Sequence, residues 1–374
     1  MSEHSLVGRH IADLKPYRPG PPPCVLKEEL EVDTLVRLDS NENPLGPSPK
    51  AVDAIRRAAT ELHRYPDGGA MRLKQALAKH LMVSPSQLVI GNGSNELIEL
   101  LITTFAHSES EILTSKGSFI AYKLAACARG VNLREAALDE GLGYDCEALL
   151  ANVNDNTRIV FLANPNNPTG TYLDRESLHD FITRLDEKCG ANPPLLVIDE
   201  AYREYVEDPE PMDSIALLKS RPRTLVLRTF SKAYGLAGVR CGYAVATPEV
   251  VSHIESVRAP FNVNALAQEA AIAALEDKAY LQASVSMNAR NREWLSTELR
   301  RRGLEVIESQ TNFILVDFKE RALEIYEALR ARGVLTRPMV GYGLSNYIRI
   351  GIGRDEEQNT LVRALDALTQ STML

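Results

Sequence analysis

The run Arg228-Thr229-Phe230-Ser231-Lys232-Ala233-Tyr234-Gly235-Leu236-Ala237-Gly238-Val239-Arg240 sets one amine among small residues, with a guanidinium eight positions further on. A lysine so surrounded can condense with an aldehyde as a Schiff base, and the planar fork of an arginine can hold a phosphate. A single small molecule carrying both groups would satisfy the pair. An exposed loop lysine next to glycines has the same local pattern, so the reading depends on other segments agreeing.

Two segments do. Pro194-Leu195-Leu196-Val197-Ile198 is a short apolar run of buried-strand type ending in Asp199-Glu200-Ala201-Tyr202, which puts an acid at a strand's carboxyl end, where open α/β sheets bind ligands. Asp199 could pair there with a protonated ring nitrogen. Ile159-Val160-Phe161-Leu162-Ala163 is a second such strand. It is broken by Asn164-Pro165-Asn166-Asn167-Pro168-Thr169-Gly170, whose prolines and glycine forbid regular pairing and hold Asn167 on a stiff loop. Upstream, Gly91-Asn92-Gly93 allows a tight turn before the helix that Ser94 begins. That helix has apolar residues at 97, 98, 101 and 105 on one face, and its free amides could bind an anion. A capped helix without a ligand fits the same letters. Together, amine, acid and arginine meet the needs of pyridoxal phosphate, which has an aldehyde at one end and a dianionic phosphate at the other. Lys232 would hold the aldehyde and later carry a proton, so it must be deprotonated part of the time. Desolvation and the positive charge of Arg240 and the cofactor lower its pKa. Arg240 could hold the phosphate.

The elements that must position these groups follow from pattern and length. At 374 residues, two domains are expected. From about residue 50 to 260, helix-period segments alternate with β-branched runs, as in a parallel sheet covered on both faces. Strands are expected near Leu88–Ile90, Glu111–Leu113, Ile159–Leu162, Leu195–Ile198, Thr224–Leu227 and Gly242–Ala246. Asp277–Arg302 has no proline or glycine and predicts a long linking helix. A smaller α+β unit follows, with strands Phe313–Val316 and Tyr347–Ile350, a helix over Leu323–Arg332 and another after Asp355. The stretch through Pro16-Tyr17-Arg18-Pro19-Gly20-Pro21-Pro22-Pro23 predicts an extended arm.

Composition narrows the function. Forty-two basic against 50 acidic residues give a net charge of −8 with no concentrated basic stretch, which argues against a nucleic-acid surface. Acidic substrates would then be bound by local arginines. No run approaches the roughly 20 apolar residues of a membrane span, and Met-Ser-Glu-His-Ser lacks a signal-peptide pattern, so a cytoplasmic protein is expected. The five cysteines are odd in number and widely spaced, and predict reduced packing residues. The histidines show no ligand spacing, so no metal site is expected. Gly91-x-Gly93-x-x-Glu96 lacks the third glycine of a dinucleotide fingerprint, and no Gly-x-x-x-x-Gly-Lys-Ser/Thr occurs.

The three segments at 164–170, 199–202 and 231–240 resemble the signature of fold-type I aminotransferases. Asp39-Ser40-Asn41-Glu42-Asn43-Pro44-Leu45-Gly46, Arg64-Tyr65-Pro66-Asp67-Gly68 and Tyr347-Ile348-Arg349-Ile350-Gly351 extend the resemblance over nearly the whole chain, towards the histidinol-phosphate aminotransferase branch. It implies an α/β fold of the pyridoxal-phosphate-dependent transferase type I, with a mainly parallel, seven-stranded sheet in a large domain and a smaller α+β domain. Residues 1–45 would form an arm and part of the small domain, 46–275 the large domain and 276–374 the small one. It further implies that the cofactor phosphate sits at the turn before Ser94, clamped by Arg240, Ser231, Thr229 and the amides of Ser94 and Asn95, that Tyr202 and Asn167 hydrogen-bond the cofactor's phenolic oxygen and that Phe119 stacks on its ring. Lys116-Gly117-Ser118, just before Phe119, departs from the family, where a proline-threonine pair is frequent. Tyr65 would reach the phosphate in the neighbouring subunit, giving a homodimer with shared sites. Arg349 would bind the substrate carboxylate, with Asn167 beside it, and Arg337 and Tyr17 the distal group. The reaction implied is transamination between L-histidinol phosphate and 2-oxoglutarate. Alternatives are an aromatic amino acid aminotransferase, a decarboxylase of similar fold, and a non-enzymatic binding protein, which intact Lys232, Asp199 and Arg240 argue against.

Overall fold

The computed structural model describes residues 6–12, 14 and 22–370. A seven-stranded sheet runs through its larger part, in the order Leu88–Gly91, Gly242–Ala246, Thr224–Thr229, Leu195–Asp199, Thr157–Ala163, Glu111–Ser115 and Asn132–Ala136. Every strand runs the same way except Gly242–Ala246, which is antiparallel to both neighbours. The central strands are apolar at nearly every position because both faces are covered. Alternation divides their side chains between the faces. Ile159, Phe161, Leu195 and Val197 join a core with helices Ser94–Phe105, Ile120–Arg129 and Pro248–Val257. Val160, Leu162, Leu196 and Ile198 join another with helices Cys146–Asn152 and Arg175–Cys189.

The six strands expected from sequence all form. The seventh, Asn132–Ala136, escaped the reading because it is an edge strand with Ala136 as its one buried residue. Its letters, Asn-Leu-Arg-Glu-Ala, lack the apolar run that marked the others.

The C-terminal unit carries a four-stranded antiparallel sheet, ordered Arg337–Pro338, Tyr347–Gly351, Phe313–Asp317 and Glu305–Ile307. Its core takes in helices Ala322–Arg330 and Asp355–Gln370, together with Leu295 and Leu299 of the long helix Lys278–Arg301. Near the start of the chain, Val36–Arg37 pairs in parallel with Val334–Leu335, so the segment that follows, Leu38 to Asn43, is threaded between this unit and the large sheet.

Two expectations need correction. Pro23 does not continue an extended arm but opens the helix Pro23–Glu29. A proline at the first helical position removes an N–H that has no intrahelical partner anyway. Arg9–Ala12 is also helical. The cysteines are all free, yet Cys241 alone is fully buried, Cys127, Cys146 and Cys189 are partly so, and Cys24 is exposed rather than packed. Among the described residues, no helix is long and apolar enough to cross a membrane.

Candidate active site

Strand register brings the scattered motifs to one edge of the sheet. Gly91 lies opposite Gly242, Gly242 opposite Thr229, Leu227 opposite Asp199, and Asp199 opposite Ala163. At this edge the chain leaves three parallel strands into the loops that hold Asn167, Tyr202 and Lys232, at the carboxyl ends where such sheets form crevices. A cavity of about 270 Å³ opens there. Ser94, Asn95, Phe119, Asn167, Asp199, Tyr202, Thr229, Ser231, Lys232 and Arg240 all line it, with Ser40 and Glu42 closing one side.

One wall is acidic and fully hydrogen-bonded. Asp199 is 4% exposed. Its Oδ2 accepts from the Tyr122 hydroxyl at 2.7 Å and its Oδ1 from the Ala201 amide at 3.2 Å. Burial pushes its carboxyl up to about 6, with those two hydrogen bonds acting in the opposite direction. The neighbouring Glu200 is paired with Arg228 at 2.7 Å. The loop that presents Asn167 is pinned from several sides. The Asn164 amide donates to the Asp199 carbonyl at 2.9 Å, and the Asn166 side chain donates to the Gly117 carbonyl at 3.0 Å and to Thr169 at 2.8 Å. Tyr202 accepts a hydrogen bond from the Asn41 side chain at 3.1 Å, which leaves its own hydroxyl proton to be donated elsewhere.

The amine faces that wall. Lys232 is half-buried, with Nζ 3.2 Å from the Asn41 carbonyl and 3.5 Å from that of Ser40. Its pKa is lowered to about 8, by burial first and then by the Arg349 and Arg240 charges, against the opposing pull of Glu42. Sequence reasoning named Arg240 as the protein's contribution; Arg349, more than a hundred residues away in the chain, outweighs it.

Beside the amine is an anion cradle. Arg240 holds a left-handed backbone, φ 63°, at a cost of about 1–3 kcal/mol for a non-glycine residue. Its guanidinium lies so close over Gly93 that an added Cβ there would overlap Nη2, and a Cβ on Gly242 would stand 2.6 Å from the Ser94 amide. Only glycines allow that approach. The helix Ser94–Phe105 starts from Gly93 with no side-chain cap, so its first amides face outward. Thr229 and Ser231 place their hydroxyls 3.0 Å apart nearby. Hydroxyls, guanidinium and helix amides converging on one spot suit a dianion. An anion cradle, a neutralisable amine and a buried acid in one cavity fit the phosphate, aldehyde and ring nitrogen of pyridoxal phosphate.

The small sheet meets the loop of Asn167 through Arg349, which is not among the residues lining the cavity. Arg349 is 7% exposed; both faces of its strand are covered, so alternation does not turn it to water. Nη1 donates to Asn167 Oδ1 at 2.7 Å and Nη2 to the Asp39 carbonyl at 2.8 Å, the guanidinium lies 5.3 Å over the Phe313 ring, and Nε has no partner among the described residues. Burial lowers its pKa. Arg337 stands opposite Arg349 in the register but is exposed. Tyr65 is 84% exposed and stacked on Phe261 at 4.8 Å, away from the cavity of its own chain. Tyr17 lies outside the described residues. Phe119 is partly buried at the cavity wall, edge-on to Tyr122 at 5.8 Å.

Sequence reasoning gave no role to Tyr122 or Asn41. Tyr122 lies one helical turn after Phe119, and its spacing alone signals only a core aromatic. Asn41 sits in a motif noted for its resemblance, and its left-handed backbone, φ 54°, is a conformation asparagine tolerates.

The chain matches the family of class I and II aminotransferases over residues 33–365. It is 45% identical to the histidinol-phosphate aminotransferase of Anaeromyxobacter sp. (strain Fw109-5), over 96% of this chain and 98% of that one. It is 41% identical to histidinol-phosphate aminotransferase 2 of Methylococcus capsulatus, over 98% and 99%. Among solved structures, it superposes on the histidinol-phosphate aminotransferase from Sinorhizobium meliloti in complex with pyridoxal-5'-phosphate, with a TM-score of 0.88, 32% identity and 99% of each chain covered.

Proposed function

The chain belongs to the class I and II aminotransferase family, and from that premise we propose that it uses pyridoxal 5'-phosphate to transfer an amino group between L-histidinol phosphate and 2-oxoglutarate, giving imidazole-acetol phosphate and L-glutamate. The observation that carries the reading is the half-buried Lys232, its pKa drawn down to about 8 in a cavity that also holds Asp199 and Arg240. Bound there, pyridoxal phosphate supplies an aldehyde that links to amines and a ring that withdraws electrons from the substrate Cα.

The protein's own residues do the rest. Lys232 Nζ, neutral over part of the physiological range, would hold the aldehyde and, once released, would accept and return the proton of the substrate Cα. Asp199 holds a proton on the ring nitrogen by presenting a buried negative charge to it. Arg240, Ser231, Thr229 and the amides of Ser94 and Asn95 bind the phosphate, and Tyr202 and Asn167 orient the phenolic oxygen, with Phe119 against the ring. Arg349 binds the carboxylate of glutamate and 2-oxoglutarate. Histidinol phosphate has no α-carboxylate, so the same arginine takes its phosphate, one cation serving two anions in turn. Arg337 and Tyr17 contact the distal group.

The reading extends to assembly. Tyr65, exposed and outside the cavity of its own chain, reaches the phosphate of a second subunit in a homodimer with shared sites, and the protein works in the cytoplasm. We divide the chain into residues 1–45, an arm with part of the small domain, 46–275, the large domain, and 276–374, the small domain. The test is kcat/KM for histidinol phosphate against phenylalanine with 2-oxoglutarate, because that ratio reports differential binding of the two transition states. A preference for histidinol phosphate supports the proposal. A large preference for phenylalanine, or release of carbon dioxide, replaces it with an aromatic aminotransferase or a decarboxylase.

A further inference from the structure

Tyr122 is fully buried, in the helix Ile120–Arg129 behind the cavity. Its ring lies parallel to Phe161 at 4.5 Å, interplanar angle 13°, and meets Phe119 edge-on at 5.8 Å. Clamped between two aromatics, the ring has little freedom, and its hydroxyl points at Asp199 Oδ2 from 2.7 Å. Burial and the nearby carboxylate push the phenol's pKa well above its ordinary value, so it remains a donor at any working pH. Among the described residues, the carboxylate it meets is otherwise held only by the Ala201 amide, at a longer 3.2 Å.

The charges around Asp199 make that contact matter. Glu200 adjoins it, pushes its pKa upward, and is itself neutralised by Arg228. Tyr144 and Tyr202, the other titratable groups that sense Asp199, are both buried phenols with raised pKa values and carry no positive charge. No guanidinium or ammonium group is paired with Asp199 among the described residues. In the absence of a cation, the hydrogen-bond donors are what favour its ionised form against burial.

We propose that Tyr122 is a positioning residue: its hydroxyl, aimed by the Phe161 and Phe119 rings, fixes the Asp199 carboxylate in the orientation and charge state in which it meets the cofactor's ring nitrogen. The inference rests on the reading of Asp199 as the partner of that nitrogen. Tyr122→Phe keeps the aromatic clamp and deletes only the donor. Hydrogen bonds to charged groups are worth enough that pyridoxal phosphate should bind apo Tyr122→Phe about tenfold more weakly. The visible band of the bound cofactor should also titrate at a different pH from that of the parent protein. Both are read by absorbance on protein without substrate; in turnover, kcat should fall while KM for the amino donor holds.

Asp199→Asn separates the two layers of the argument. If Asp199→Asn alters affinity and band while Tyr122→Phe matches the parent in both, the role of Tyr122 is overturned and that of Asp199 stands. If Asp199→Asn changes neither, the underlying reading fails and this inference with it. Should Tyr122→Phe not fold, a ring-fluorinated tyrosine at position 122 decides. It keeps the shape, is a stronger donor, and should shift the band in the sense opposite to Asp199→Asn; an unshifted band overturns the proposal.

Discussion

Asp199 and Arg349 are both buried charges on strands, Asp199 lining the cavity and Arg349 joined to it through Asn167, yet their surroundings are opposites. Each carboxylate oxygen of Asp199 accepts a hydrogen bond from its own chain. Arg349 is held by two neutral acceptors and keeps an Nε with no partner among the described residues. The wall built by the seven-stranded sheet is therefore nearly complete before anything binds, whereas the small-sheet wall holds a buried cation whose cost only an anion relieves. A resident group needs a finished seat. Molecules exchanged in every cycle need one whose last partner arrives with them.

Substitutions on the two walls should separate in kind as well as in size. The largest effect belongs to the amine between them: Lys232→Ala should lower transamination by about 10³-fold or more, checked by single-turnover assays with both amino donors. On the small-sheet side, Arg349→Lys loses the planar fork and should raise KM for 2-oxoglutarate by about 10- to 100-fold, leaving cofactor retention unchanged. Loss of cofactor from that variant would erase the distinction between the walls. The pH dependence of loading is next. Lys232 attacks an aldehyde only when neutral, so the rate at which apoprotein takes up pyridoxal phosphate should rise with pH and level off above about 8. An amine at the ordinary lysine value of 10.5 would keep climbing well beyond that point. The smallest effect lies away from both walls. Asp174 caps the helix Arg175–Cys189, accepting from the Ser177 amide at 2.8 Å, and Asp174→Ala should cost about 1 kcal/mol of stability with kcat intact. That hydrogen bond lowers the Asp174 pKa, so its contribution is present above the ordinary carboxylate value and lost as pH falls through the lowered one. A thermal melt series from neutral to acid pH reads it.

What the letters disclosed, and what they hid, follows the same division. The finished wall is made of segments that announce themselves locally. Apolar runs ending in Asp199 or broken at Asn164, and glycines before Ser94, are each visible within about ten residues, and strand register does the rest. The other wall is tertiary. Arg349 reads equally well as a solvent-facing strand residue until helices Ala322–Arg330 and Asp355–Gln370 cover one face of its sheet and the segment around Asp39 meets its guanidinium. Tyr122 touches Asp199 across 77 residues of chain, a contact that no spacing rule contains. The Asn132–Ala136 strand stays hidden because edge strands need no apolar run, and the Pro23–Glu29 helix because a run of prolines reads as extended chain even where its last member can open a helix.

The assignment of the amine is open to one direct measurement: reduce the yellow holoprotein with borohydride, digest it and map the peptide that carries the cofactor. The mass increment should fall on Lys232, within the peptide that also contains Ser231, and should vanish in Lys232→Ala. An adduct on any other lysine, or a protein that takes up no cofactor to reduce, would contradict the account.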